Sequence, residues 1–158
     1  GRYLGSGNLD RTVTVVEWGS PPPWLMQGFP GKVRQLSWSP PLSSSDSPLL
    51  AAACAEGVTV WAREERQGGS WKSQVLQHHR GVVEAIAFQP NSLLLASASQ
   101  DGQIGLWRRG KHLFQTLQGF SQGVSRLAWS PAGEQLAAGG MAGELRVWRV
   151  SHRAKGFG

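Results

Sequence analysis

Short apolar runs separated by turn residues recur along the whole chain. In the clearest example an apolar run over 83–88 ends at Pro90, and a second apolar run follows over 93–99. An Asp-Gly turn at Asp101 comes next, and residues 104–107 form a third run. Short apolar runs bounded by Gly, Pro and Asp indicate β-strands. The segment therefore predicts three short antiparallel strands.

The same pattern occurs in four copies. Its aromatic pairs are 23, 19 and 19 residues apart in the second, third and fourth copies; these pairs are Trp38 and Trp61, Phe88 and Trp107, and Trp129 and Trp148. A Pro/Ser-rich segment at 41–48 lengthens the second copy, and the chain begins inside the first. From one copy to the next, the first aromatic residues Trp38, Phe88 and Trp129 are 50 and 41 residues apart. A period of 41 to 50 residues is typical of propeller arrays rather than helical solenoids.

These repeats resemble the WD-repeat β-propeller family over nearly the whole chain, as about three and a half repeats. In that family a His before the first strand, a Ser or Thr on the second, an Asp in the next turn and a Trp on the third form a hydrogen-bonded tetrad. The resemblance implies that the tetrad of the third repeat consists of His79, Ser97, Asp101 and Trp107.

The other three repeats depart from this tetrad. Their partial tetrads are Ser6 and Asp10 in the first repeat, Trp61 with Glu56 at the Asp position in the second, and Trp148 alone in the fourth. Phe29 and Phe120 occupy the His position. We therefore expect packing, more than hydrogen bonds, to hold these repeats together.

The resemblance implies an all-β fold, a partial β-propeller of four-stranded antiparallel blades with incomplete terminal blades. The expected segments are an incomplete blade at 1–28, blades at 31–77 and 82–118, an incomplete blade at 123–150 and a basic tail at 151–158. Stacked units depend on their neighbours for burial. Two readings therefore stay open: a piece of a longer propeller, or a half-ring that closes with a second copy.

The function implied by the resemblance is a non-catalytic scaffold that docks other proteins or peptides through its loops. Loops on a rigid scaffold are common binding sites. Candidate partner-binding residues at the turns before first strands and between second and third strands are Phe29, Lys32, Arg80, Gln100, Phe120 and Met141. Trp18, Trp24 and Trp71 flank outer strands, where we expect exposed aromatics available to a partner.

The net charge of +6 introduces an alternative function. Clustered Lys and Arg supply phosphate contacts, so the basic loop around Arg108, Arg109 and Lys111 could contact RNA or DNA, although such runs are usually solvated surface. A third hypothesis makes the propeller the sensor of a larger signalling protein.

Catalytic, metal and membrane functions find little support in the sequence. His79, Ser97 and Asp101 are the residue types of a hydrolytic triad, but their spacing places them in the tetrad. No Cys or His pair has metal-ligand spacing. The single Cys54 fits a reducing compartment such as the cytoplasm, and no apolar run is long enough to span a membrane. We expect no enzyme activity and no cofactor.

Overall fold

The computed structural model describes residues 2–29, 31–41, 43, 47–55, 57–64 and 69–150, with the side chain of Pro21 left out. These residues form strands and turns and no helix. The strands are β1 (Tyr3–Gly7), β2 (Val13–Glu17), β3 (Ser20–Met26), β4 (Gln35–Trp38), β5 (Leu50–Cys54), β6 (Gly57–Glu64), β7 (Ser70–Leu76), β8 (Val83–Phe88), β9 (Leu95–Ser99), β10 (Ile104–Arg108), β11 (His112–Leu117), β12 (Val124–Trp129), β13 (Gln135–Gly140) and β14 (Leu145–Arg149).

The strands form four antiparallel sheets, each in chain order. The first sheet is β1-β2-β3, the second β4-β5-β6-β7, the third β8-β9-β10-β11 and the fourth β12-β13-β14. The expected all-β fold with incomplete terminal blades is confirmed. In each of the last three sheets the strand that comes first in the chain lies at one edge, and these strands, β4, β8 and β12, contact one another between sheets.

The core lies between the sheets. Alternate residues of β9 point to opposite faces: Leu95 packs towards the second sheet, while Ala96 and Ala98 pack towards the fourth. Every residue of β5 and β9 is consequently buried. A strand covered on both faces reads as a continuous apolar run, which explains the uninterrupted apolar stretches in the sequence.

The two terminal sheets each leave one face uncovered by the described residues. On the fourth sheet Leu145 is 74% exposed and Val147 is also exposed, and on the first sheet Leu4 and Leu25 are exposed. The equivalent residues of the third sheet, Ile104 and Leu106, are buried against the fourth sheet. These side chains are exposed because each terminal sheet has another described sheet on one side only, and not because its strands are polar.

One strand begins earlier than the sequence suggests. The sequence predicts a sharp loop over 19–23 and an outer strand from Trp24, but β3 begins at Ser20 and includes the three prolines. Its pairing with β2 shifts register between Val15 and Glu17. Proline is tolerated here because β3 is the outer strand of its sheet, where one side of the backbone needs no ladder partner.

Candidate functional site

A chain of hydrogen bonds joins four side chains of the third sheet. Trp107 Nε1 donates to Ser97 Oγ at 2.8 Å, and the same hydroxyl lies 2.7 Å from His79 Nε2. The other ring nitrogen of His79 lies 3.3 Å from a carboxylate oxygen of Asp101. These residues come from the segment before β8, from β9, from the turn after it and from β10. The fold thus brings together the four residues named for the tetrad.

One neutral tautomer of His79 satisfies every member of this chain. With its proton on Nδ1, the ring donates to Asp101 and accepts from the Ser97 hydroxyl at Nε2. Burial lowers the pKa of His79 and outweighs the opposing effect of Asp101. Burial alone would raise the pKa of Asp101, but backbone N–H groups of Arg80 and Gln103, with His79, hold it below its ordinary value. The tetrad is therefore a neutral imidazole beside a carboxylate.

The tetrad fits because Gly105 lies opposite Ser97. A Cβ atom on Gly105 would lie 2.9 Å from Trp107 Nε1 and 3.1 Å from Ser97 Oγ, which is too close for packed atoms. Ser97 is itself fully buried. Since a nucleophile must reach its substrate, this Ser-His-Asp set is not arranged for hydrolysis. It is arranged to fix the register of three strands.

The second sheet replaces the hydrogen bonds with an aromatic contact. The ring of Phe29, at the His position, lies 5.9 Å from the ring of Trp61. Ala52 stands at the serine position, opposite Thr59. Trp61 Nε1 and Thr59 Oγ1 are both buried and have no hydrogen-bond partner among the described residues. Glu56, expected at the Asp position, lies outside the described residues.

The fourth sheet uses a similar aromatic contact. The ring of Phe120 lies 6.0 Å from that of Trp148, and the guanidinium of Arg146 lies 5.7 Å from the Phe120 ring centre. Ala138 stands at the serine position, so Trp148 has no hydroxyl acceptor there. Phe120 is buried and Trp148 is half-buried, so this contact lies at the edge of the core.

In the first sheet the matching polar residues act locally. Ser6 is exposed and lies opposite Thr14. Asp10 accepts hydrogen bonds from the backbone N–H of Thr12 at 3.2 Å and from its hydroxyl at 2.6 Å. Val16 lies opposite Leu4, at the position that Trp107 has in the third sheet. The bonds of Asp10 therefore close the β1–β2 turn and do not reach the next strand.

The turn face is the side of the molecule that carries the β1–β2, β5–β6, β9–β10 and β13–β14 turns and the segments before β4, β8 and β12. It does not offer all the expected partner-binding residues. Phe29 is 7% exposed and Phe120 is 9% exposed, because each packs on the Trp of its own sheet. The prediction that these two rings face a partner is therefore wrong for the arrangement described. The exposed candidates are Lys32, Arg80, Gln100 and Met141.

Of the three outer tryptophans, one is exposed as expected. Trp18 is 83% exposed. Trp24 and Trp71 instead pack edge to face, with ring centres 6.2 Å apart, and Arg63 lies 4.9 Å above the Trp24 ring. These two aromatics therefore join the first and second sheets instead of facing solvent.

An ion pair at this junction was missed by sequence reasoning. Arg63 of β6 donates to Glu17 of β2 at 3.0 Å and to the hydroxyl of Tyr3. Burial alone would raise the pKa of Glu17, but hydrogen bonds from Arg2 and Arg63 lower it. Arg63 lies near the end of β6, in the second repeat, whereas Glu17 lies in the first. No local sequence pattern marks this partner 46 residues earlier.

Neither a metal centre nor a membrane helix is present in the described part of the chain. It holds no group of three or more His, Cys, Asp or Glu residues placed to bind a metal ion. None of it forms a helix long and apolar enough to cross a membrane. Cys54 is buried within β5, and burial raises the pKa of its thiol to about 11. A thiol with such a pKa stays protonated at neutral pH and is a poor ligand or nucleophile.

Four successive antiparallel sheets of three or four strands, three of which carry the repeated Trp, define the class of this protein as a repeat-built β-propeller. A family model described as "WD domain, G-beta repeat" matches residues 70–108 and 111–149. Each match begins with the outer strand of one sheet and ends with the third strand of the next. The chain belongs to the WD-repeat family, as the resemblance indicated.

Relatives and solved structures agree with this assignment. WD repeat and HMG-box DNA-binding protein 1 of Homo sapiens is 31% identical over 160 residues, which is 95% of this chain and 14% of that protein. Protein transport protein SEC13 homolog B of Arabidopsis thaliana is 34% identical over 112 residues, which is 64% of this chain and 36% of that protein. A chain in a crystal structure of the mitotic checkpoint complex shares the fold, with a TM-score of 0.74 and 23% identity over 94% of this chain and 44% of that one. The chain thus spans less than half the length of each of these proteins.

Proposed function

We propose that this chain is a non-catalytic scaffold that docks other proteins or peptides at the turn face. The observation that carries the proposal is a set of exposed polar and apolar side chains on fixed turns: Lys32, Arg80, Gln100 and Met141. WD-repeat propellers are in general protein-interaction scaffolds, and the structural neighbour is itself a component of a complex. These facts support a docking role without naming a partner.

The rigidity of the inner strands supports this role. The Gln35 side chain accepts a hydrogen bond from the backbone N–H of Ile86 at 2.9 Å, which ties β4 to β8. Arg34 and Gln100 both bond the carboxylate of Glu84, at 2.8 and 2.6 Å. Groups held in one geometry lose little conformational entropy on binding, so a partner meets a preorganised surface.

The absence of catalytic activity is part of the proposal. The Ser, His and Asp of the tetrad are committed to one another inside the sheet, and Ser97 is fully buried. The compartment we propose is the cytoplasm, because the buried free thiol of Cys54 suits a reducing environment. Function then depends on surfaces that present side chains rather than on a cleft that performs chemistry.

Two double variants test the docking face, and each replaces one Arg and one exposed apolar residue by Glu. Arg80→Glu with Met141→Glu alters the turn face, while Arg109→Glu with Leu113→Glu alters the opposite face. We expect proteins captured by the unmodified chain to be lost from the first variant and kept by the second, with both variants folded by circular dichroism. Loss of captured proteins from the second variant alone would overturn the assignment of the turn face. Capture by both variants at the level of the unmodified chain would overturn docking at either face.

A further inference from the structure

The β10–β11 hairpin carries the densest run of basic residues in the described part of the chain. We define the basic hairpin as residues 108–114; its cationic side chains are Arg108, Arg109 and Lys111, with His112 beside them. No Asp or Glu occurs between Asp101 and Glu134. Neither β10, β11 nor the turn between them therefore contains an acid that could offset the positive charge of this hairpin.

The tip of this hairpin is rigid. Lys111 N–H donates to the carbonyl of Arg108 at 3.0 Å, and Arg109 and Gly110 have φ values of 54° and 56°. Two successive residues with positive φ form the tight turn that matches strand twist. A Cβ atom on Gly110 would lie 3.2 Å from Val60 and 3.4 Å from Leu49, so the turn is seated against the second sheet. The cations are thus presented from a fixed backbone.

An exposed aromatic ring stands beside these cations. Trp107 pairs with Leu113 and the preceding residue pairs with Gln115, so Phe114 is the extra residue of a β-bulge. Phe114 is 45% exposed, and the guanidinium of Arg108 lies 4.0 Å from its ring centre. Bulges re-aim side chains. Here the bulge turns an aromatic ring and its stacked guanidinium to solvent.

In the equivalent hairpin of the second sheet, both cations that the structure describes are paired. Its Arg63 bonds Glu17 at 3.0 Å, and its Lys72 bonds Glu64 at 2.7 Å. Among the described residues the basic hairpin has no ion pair at Arg108, Arg109 or Lys111. Two hairpins at the same place in neighbouring sheets therefore differ in whether their cations are available to an outside anion.

We propose that the basic hairpin binds single-stranded nucleic acid, independently of protein docking at the turn face. Arg109 and Lys111 would contact successive phosphates, and an unpaired base would stack on the Arg108 and Phe114 pair. Single-strand binders combine a positive surface with aromatic rings that accept any base. An extended acidic peptide fits less well, because the bulge at Phe114 interrupts the strand edge with which such a peptide would pair.

Fluorescence anisotropy of the full chain with labelled oligothymidylate of about 15 nucleotides tests this proposal, since such a length covers a typical binding site. Binding should weaken with salt with a log–log slope of about −1.4, as expected for two phosphate contacts on a single strand. The triple variant Arg108→Gln, Arg109→Gln, Lys111→Gln should weaken binding by about tenfold or more and flatten that slope. Phe114→Ala should weaken binding by about fivefold or more, the loss expected for one stacked base.

A matched control removes the same charge from the other side of the molecule. The variant Arg11→Gln, Lys32→Gln, Arg80→Gln alters the turn face and should bind the oligonucleotide within about twofold of the unmodified chain, because exposed charges beyond a Debye length are screened. Equal weakening by both triple variants would mean attraction to net charge alone and would overturn the site. Absence of binding, equal binding of a duplex, or displacement by polyglutamate as effective as displacement by unlabelled oligonucleotide would each overturn it as well.

Discussion

The second and third sheets have the same strands in the same order but are held in different ways. In the third sheet Trp107 donates to Ser97, and the hydrogen bonds continue to His79 and Asp101. In the second sheet Phe29 packs on Trp61, and the indole N–H of Trp61 has no partner among the described residues. One sheet satisfies its buried polar atoms, and the other fills the same space with an aromatic ring.

The difference depends on two small residues. Ser97 faces Gly105, which leaves room for the Trp107 indole to reach the hydroxyl. Ala52 faces Thr59 at the same positions of the second sheet, so the hydroxyl sits on the wrong strand. Both sheets nonetheless have buried second strands. Interlocking apolar packing therefore sets the blade shape, and the tetrad adds stability and a single register to a blade that already fits.

The largest expected effect comes from removing the Trp of the tetrad. Trp107→Ala should lower the free energy of unfolding by about 3–5 kcal/mol, since it leaves a cavity and removes the indole hydrogen bond to Ser97. Trp61→Ala should cost less, because Trp61 is only partly buried and its indole N–H has no hydrogen-bond partner among the residues that the structure describes. Chemical denaturation measures both. Trp18→Ala, at an exposed site, is the control and should stay within about 0.5 kcal/mol of the unmodified chain; losses as large as that of Trp107→Ala would contradict the core assignment.

The next effect converts the third sheet towards the second. Ser97→Ala leaves the indole of Trp107 and the ring of His79 without their shared partner, and should cost about 2 kcal/mol. Adding His79→Phe, which reproduces the residue found in the second sheet, should recover part of that loss because both partners are then apolar. Ser97→Ala, His79→Phe and the double variant are compared by urea denaturation. A double variant that loses the sum of the two single losses would argue against the equivalence of the two arrangements.

A pH dependence distinguishes the two sheets without creating a cavity. The pKa of His79 is lowered in the folded chain from its ordinary value of 6.5. The unfolded chain therefore binds a proton first as pH falls, and stability is lost from about neutral pH down through the folded pKa of His79. His79→Phe should reduce this loss, and Phe29→Leu, in the second sheet, should leave it unchanged. Thermal unfolding midpoints at pH 7.5 and at pH 5.5 provide the measurement, both about one pH unit from the ordinary histidine pKa; an unaltered slope in His79→Phe would rule out this role.

The smallest effect concerns the unpaired hydroxyl of the second sheet. Thr59→Val removes a buried oxygen that has no partner among the described residues, so it should be neutral or stabilising by up to about 1 kcal/mol. Thr12→Val is the matched control, because the Thr12 hydroxyl bonds Asp10 at 2.6 Å. It should destabilise by about 1 kcal/mol. Equal losses from both threonine variants in guanidinium denaturation would indicate that Thr59 is bonded in solution.

Much of the fold could be predicted because its signals are local. Turn residues and apolar runs predict the strand succession of three, four, four and three, and the spacing from His79 to Trp107 brings four polar residues to one side of a sheet. The two phenylalanines at the His position were assigned to the wrong environment. Their position in the repeat was visible, but their burial depends on the neighbouring Trp61 and Trp148, which fill the space beside them.

Contacts between sheets could not be predicted from such local signals. The pair of Arg63 and Glu17 and the aromatic cluster around Trp71 join residues far apart in the chain. Their partners are chosen by how one sheet stacks on the next, and a single repeat contains no information about its neighbour's side chains at that junction. The basic hairpin was visible as charge, but the exposed Phe114 beside it depends on a bulge that strand periodicity does not reveal.

Hydrogen exchange at the tryptophan indoles tests the buried tetrad most directly. In two-dimensional nitrogen–proton NMR, the Nε1–H of Trp107 should exchange with deuterium far more slowly than that of Trp18, because it is buried and bonded to Ser97. In Ser97→Ala that protection should fall while the Trp61 indole is unaffected. An indole of Trp107 that exchanges as fast as that of Trp18 in the unmodified chain would contradict the tetrad and the account of the third sheet built on it.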